Sequence, residues 1–151
     1  MERKTGSSNK SGDLQRPQSL YLLVATIVQT LLFALPFATA DKTSDGPFTD
    51  GDLDLYDNVI LLSVLIVAAT FSLVSIFLYK NRKLQMNISL GVIVLCVILS
   101  GLAAYFAFGT GVAASIGIGL FLPIIAVVFS FLAYRGIKSD DELVKSSNRL
   151  R

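Results

Sequence analysis

The chain has 151 residues, 53% of them hydrophobic and 16% charged, with no histidine, one cysteine and a net charge of +2. That length fits one domain, and a mean hydropathy of +0.65 excludes an ordinary soluble composition. The missing histidines remove the commonest general base and metal ligand, the lone Cys96 excludes an intrachain disulfide, and so small a net charge gives no reason to expect nucleic acid.

Residues 1–19 are polar, rich in Ser, Gly, Asn and Lys, and read as a disordered cytoplasmic tail. Leu20 to Ala40 is a run without charge, long enough as a helix to span a bilayer. Ala38-Thr39-Ala40 before Asp41 imitates a signal-peptide cleavage site, but the apolar run exceeds a signal core and the helix is expected to be retained. Gln29 falls near its middle, where an interhelical hydrogen bond is the plain reading and Thr70 the expected partner.

Asp41 to Asn58 carries six aspartates against Lys42, with Gly46-Pro47 and Asp50-Gly51 as turn signals. Asp50, Asp52 and Asp54 have calcium-loop spacing, but leucines stand where that loop needs its glycine and its bidentate glutamate. The segment reads as a solvated loop. A second span is expected over 59–79, then a tight turn through Lys80-Asn81-Arg82-Lys83, a third over about 88–108, a turn at Gly109-Thr110-Gly111, and a fourth over 112–134. In the fourth, Gly111, Ser115 and Gly119 recur every four residues, a small-residue face for helix packing, and Pro123 predicts a kink. Ser139 with Glu142 has the form of a capping box, so residues 139–151 read as a short separate cytoplasmic helix.

The fold class expected is therefore all-α, a four-helix transmembrane bundle over 20–138. The tail before the first span has four Lys and Arg, the second loop three and the C-terminal segment five, so 12 of the 13 cations fall on one side. By the positive-inside rule that side, with both termini, is cytoplasmic. No Asp, Glu, Lys, Arg or His lies within the four apolar blocks, which argues against a proton relay or an intramembrane protease. No catalytic residue, cofactor or metal is expected, and the bilayer is the first partner.

The two ends of the chain carry a resemblance. Arg16-Pro17-Gln18-Ser19-Leu20-Tyr21-Leu22-Leu23, Leu132-Ala133-Tyr134-Arg135-Gly136-Ile137, Asp140-Asp141-Glu142-Leu143-Val144 and Ser147-Asn148-Arg149-Leu150-Arg151 resemble those of an uncharacterised four-helix inner-membrane family of Bacteroidota, a domain of unknown function. The resemblance covers about Gln15 to Arg151 and implies topology and a bacterial inner membrane, but no activity. It suggests that Arg16, Gln18 and Tyr21 meet Arg135, Asp141 and Glu142 at the cytoplasmic face, where they lock the bundle or dock a partner. The function expected is a non-enzymatic accessory or assembly subunit of a membrane complex. The alternative is a small transporter or channel acting as a homo-oligomer.

Overall fold

The computed structural model of the chain describes residues 17–40, 48, 50–109, 111 and 113–149. The expected tail up to Arg16, much of the acidic loop and the last two residues lie outside these. Four helices account for most of the described chain: α1 (Pro17–Leu31), α2 (Val59–Phe77), α3 (Arg82–Phe108) and α4 (Leu122–Arg149). Each packs on the next, and α4 closes back on α1.

Local chemistry sets the helix ends. Pro17 opens α1, where its fixed φ suits a first helical position and its missing N–H is no loss. Asn58 caps α2, its side chain accepting from the Ile60 N–H at 2.9 Å, and Asn81 caps α3 by accepting from Leu84 N–H at 3.3 Å. α3 thus starts at Arg82, six residues earlier than expected, leaving only Leu78–Asn81 as the turn after α2.

Two of the expected spans are corrected. The first helix stops at Leu31 rather than Ala40, tightening through i→i−3 bonds from Leu32, Phe33 and Ala34 before Pro36, which has no N–H to continue the ladder. Fifteen residues make α1 roughly 22 Å long. The chain then runs as β1 (Ala38–Ala40), the central strand of a three-stranded antiparallel sheet between β2 (Asp52–Leu53) and β3 (Ala114–Ile116). Ala38 pairs with Leu53 on one side and Ile116 on the other. The fourth helix begins at Leu122, after β3 and a 3-10 turn at Ile118–Leu120, and continues without a break to Arg149. No separate C-terminal helix exists, so Ser139 and Glu142 sit mid-helix and form no capping box. Pro123 lies in the first turn of α4 and produces no mid-helix kink.

The sheet covers one end of the bundle, where α1 and α3 finish and α2 and α4 start, with Phe37, Phe48, Leu53 and Leu55 fully buried. The α2–α3 turn, the start of α1 and the end of α4 form the other end. The inward residues follow steps of four and three: Gln18, Leu22, Ala25 and Gln29 on α1, continued by Leu32 just past its end, and Leu61, Leu65, Ala68, Ser72 and Ser75 on α2. This is the narrow seam of helices packed at small crossing angles. The seam mixes leucines with small and polar residues, whereas Leu20, Leu23, Ile27, Val67, Phe71, Val94, Val97, Val128 and Phe131 face outward. α2, α3 and α4 with its preceding turn are long and apolar enough to cross a membrane, and α1 is a shorter apolar helix.

Candidate functional site

Polar side chains occupy the seam in two layers. In the first, Gln29 Nε2 donates to Ser72 Oγ at 3.0 Å and approaches Cys96 Sγ at 3.7 Å, joining α1, α2 and α3. The partner is Ser72 and not Thr70, which is exposed on α2 and donates its hydroxyl to Ile66 O at 2.7 Å. Thr26, Thr30 and Ser100 likewise bond the carbonyl four residues back, which satisfies a hydroxyl that the seam does not use. In the second layer, nearer the α2–α3 turn, Gln85 Nε2 donates to Ser75 O at 3.0 Å and the Ser75 and Ser89 hydroxyls are 3.3 Å apart.

These groups are amides, hydroxyls and a thiol, none carrying charge at neutral pH, so their chemistry is hydrogen bonding. Among the described residues, Gln29 Oε1, Gln85 Oε1, Ser130 Oγ and both amide atoms of Gln18 are buried without a protein partner. Each can hold a buried water.

The small-residue face expected at Gly111, Ser115 and Gly119 is overturned as a helix feature. Gly111 sits in a turn with φ of 71°, Ser115 is in β3 opposite Thr39, and Gly119 is in the 3-10 turn. The close backbone approach is nonetheless present, with a loop as its partner. A Cβ at Gly117 would lie 2.5 Å from Pro36 O, and one at Gly119 would overlap the same carbonyl. Both glycines donate backbone bonds there, Gly117 N–H to Phe37 O and Gly119 N–H to Pro36 O, each at 2.9 Å.

At the turn end, the expected meeting of α1 with the C-terminal segment divides in two. Gln18 is buried against Gly136, the Tyr21 ring lies 6.5 Å from that of Phe129, and Arg135 and Glu142 are exposed. Asp141 instead pairs with Lys145 one turn on and faces the α2–α3 turn. Arg82 Nη1 donates to Asp140 O at 3.0 Å, tying α4 to the start of α3. Between these elements opens a cavity of about 500 Å³, lined by Tyr79, Lys80, Arg82, Lys83, Asp141 and Val144. Hydrogen bonding from Lys145, reinforced by the charges of Lys83 and Arg82, holds the Asp141 carboxyl below the usual range. Sequence reasoning assigned Lys80, Arg82 and Lys83 to topology alone. Their approach to Asp141, 58 or more residues away, has no local signal.

At the sheet end the acidic side chains shape turns. Asp50 Oδ1 accepts from Asp52 N–H at 3.3 Å, Asp54 Oδ1 from Tyr56 N–H at 2.6 Å, and Asp57 Oδ2 from Asp54 N–H at 2.8 Å. Burial, together with the nearby charges of Asp54 and Asp50, pushes the Asp57 carboxyl up, against the lowering effect of that backbone bond.

A family model described as "Domain of unknown function (DUF4293)" matches residues 14–150. Searches of curated proteins and of solved structures find no match.

Proposed function

We propose, for a chain that belongs to the DUF4293 family, a non-enzymatic role as an accessory or assembly subunit of a bacterial inner-membrane complex. The observation that carries this reading is the apolar outer surface of the bundle. Large apolar residues face outward on all four helices, while the seam mixes Leu and Val with Ala, Ser, Gln and Cys, a pattern that suits helices surrounded by hydrocarbon. Four spans then cross the bilayer, with α1 completed by the apolar stretch to Phe37. The basic α2–α3 turn and the end of α4 share one end of the bundle, and Asp50, Asp52, Asp54 and Asp57 lie toward the other. That segregation supports a cytoplasmic turn and cytoplasmic termini.

The seam amides and hydroxyls engage one another across α1, α2 and α3, so contacts with other molecules fall to the outer faces and the two ends. Purification of the full chain in mild detergent, with identification of co-purifying proteins, tests the reading. A stoichiometric membrane-protein partner is expected. A lone homo-oligomer that passes solutes in liposomes would replace the reading with the transporter or channel alternative, for which the unpartnered Gln29 Oε1 and Gln85 Oε1 acceptors are the specific observation.

A further inference from the structure

The cavity between the α2–α3 turn and the end of α4 has a composition that the bundle does not need. Three cations, Lys80, Arg82 and Lys83, line it against one carboxylate, Asp141, and Lys145 answers that carboxylate from the same helix. Only part of this charge serves the fold. Arg82 uses Nη1 to hold Asp140 O, while the guanidinium carries five N–H donors in all. Lys80 and Lys83 are exposed, the first 6.0 Å from the centre of the Tyr79 ring. The carboxyl of Asp141 is held low chiefly by its hydrogen bond to Lys145, with smaller contributions from the charges of Lys83 and Arg82.

The walls add a second kind of evidence. Tyr79 and Val144 contribute ring and aliphatic surface to the cavity, and Leu143, one residue before Val144, is 65% exposed. Leu143 and Val144 lie on an otherwise polar stretch, Ser139 to Ser146, where a soluble helix end has no use for them. Cations beside an aromatic ring and exposed aliphatics, at the end of apolar helices, match a phosphate with acyl chains attached better than a free ion.

We propose that this cavity binds the phosphate of one anionic phospholipid, held by Lys80, Lys83 and the free edge of Arg82, with an acyl chain laid along Tyr79 and Val144. The proposal rests on the membrane reading above. It also accounts for the unbroken length of α4, whose last turns form one wall of the site. Asp141 opposes the ligand's charge, so its removal strengthens binding.

The full chain is reconstituted in nanodiscs of phosphatidylcholine with and without phosphatidylglycerol, and native mass spectrometry reads which lipid stays bound after release. Retention of one phosphatidylglycerol in preference to phosphatidylcholine is expected. Each cation removed should weaken that preference roughly fivefold, so Lys80→Gln with Lys83→Gln should weaken it about 25-fold. Asp141→Asn should strengthen it, a sign that a merely structural role would not produce, and it keeps the test decisive if the double variant folds poorly. Equal retention of the two lipids, or variants that retain lipid as the wild type does, would overturn the site. Displacement of the lipid by inorganic phosphate at matched concentration would show an ion site and overturn the lipid assignment. Failure of the chain to enter nanodiscs at all would instead strike the membrane reading.

Discussion

Gln29 illustrates how much one polar side chain contributes inside an apolar bundle. Its bond to Ser72 replaces an amide left unpaired in hydrocarbon, and such interhelical bonds contribute about 0.6 to 2 kcal/mol. Gln29→Leu should therefore lower the thermal unfolding midpoint in detergent modestly, and Ser72→Ala should do nearly the same. Thr70→Ala, at the exposed position, should leave it unchanged. At Gly119 the cost is steric. Gly119→Ala pushes a methyl into the Pro36 carbonyl, and overpacking of this kind destabilises by about 1–3 kcal/mol, whereas Gly101→Ala, with open space around it, should be neutral or slightly stabilising. Asp57 gives a pH signature. Its carboxyl is raised in the fold, so the ionised form opposes folding at neutral pH and that opposition fades as pH falls through the raised value. Asp57→Asn keeps the acceptor for Asp54 N–H, so it should be the more stable protein at neutral pH, with the difference closing on acidification. Of these residues, sequence reasoning identified Gln29 from its isolation in an apolar run. It missed Ser72 because a buried and an exposed hydroxyl look alike in a sequence that is apolar on both sides.

Among the elements, the early end of α1 and the late start of α4 share one cause. An apolar run was equated with one helix, although Leu35-Pro36 inside the first run and Gly117-Ile118-Gly119 inside the fourth are both signals that break helices. Those two breaks touch each other in the fold, because the Pro36 carbonyl accepts from Gly119 and the Phe37 carbonyl from Gly117. The small-residue spacing was legible as a helix face, but of Gly111, Ser115 and Gly119 only Gly119 approaches another backbone closely, and that backbone is a loop that long-range folding brings near. Asn58 and Asn81 were equally readable as caps, and Asn81 alone would have moved the start of α3 to Arg82. The end of α4 was misread in the opposite sense, since a local capping pattern gives way to a continuous helix tied by Arg82 to Asp140. Arg82→Gln should release that tie, and hydrogen exchange should quicken over 140–149 while the seam around Cys96 keeps its protection.

For the whole molecule, the feature that organises everything else is the apolar outer surface of the bundle. The seams of α1, α2 and α3 repeat in steps of four and three through leucines and valines mixed with small or polar residues, and further bulky apolar residues between them face outward. That repeat is hard to read in the sequence because the positions between its members are apolar too, which leaves a search for hydrophobic periodicity little contrast to find. The charge pattern was the legible part at this scale, since it needs only segment order and not side-chain contacts. A bilayer reading of these faces requires the sheet and the α2–α3 turn to lie on opposite sides of the membrane. Single cysteines test this directly in a Cys96→Ser chain expressed in bacterial cells and labelled with a membrane-impermeant maleimide. Asp52→Cys should label in intact spheroplasts, while Asn81→Cys and Ser146→Cys should label only after the membrane is opened. Labelling of Asp52→Cys and Asn81→Cys from the same side, or recovery of the chain in the soluble fraction, would contradict the account.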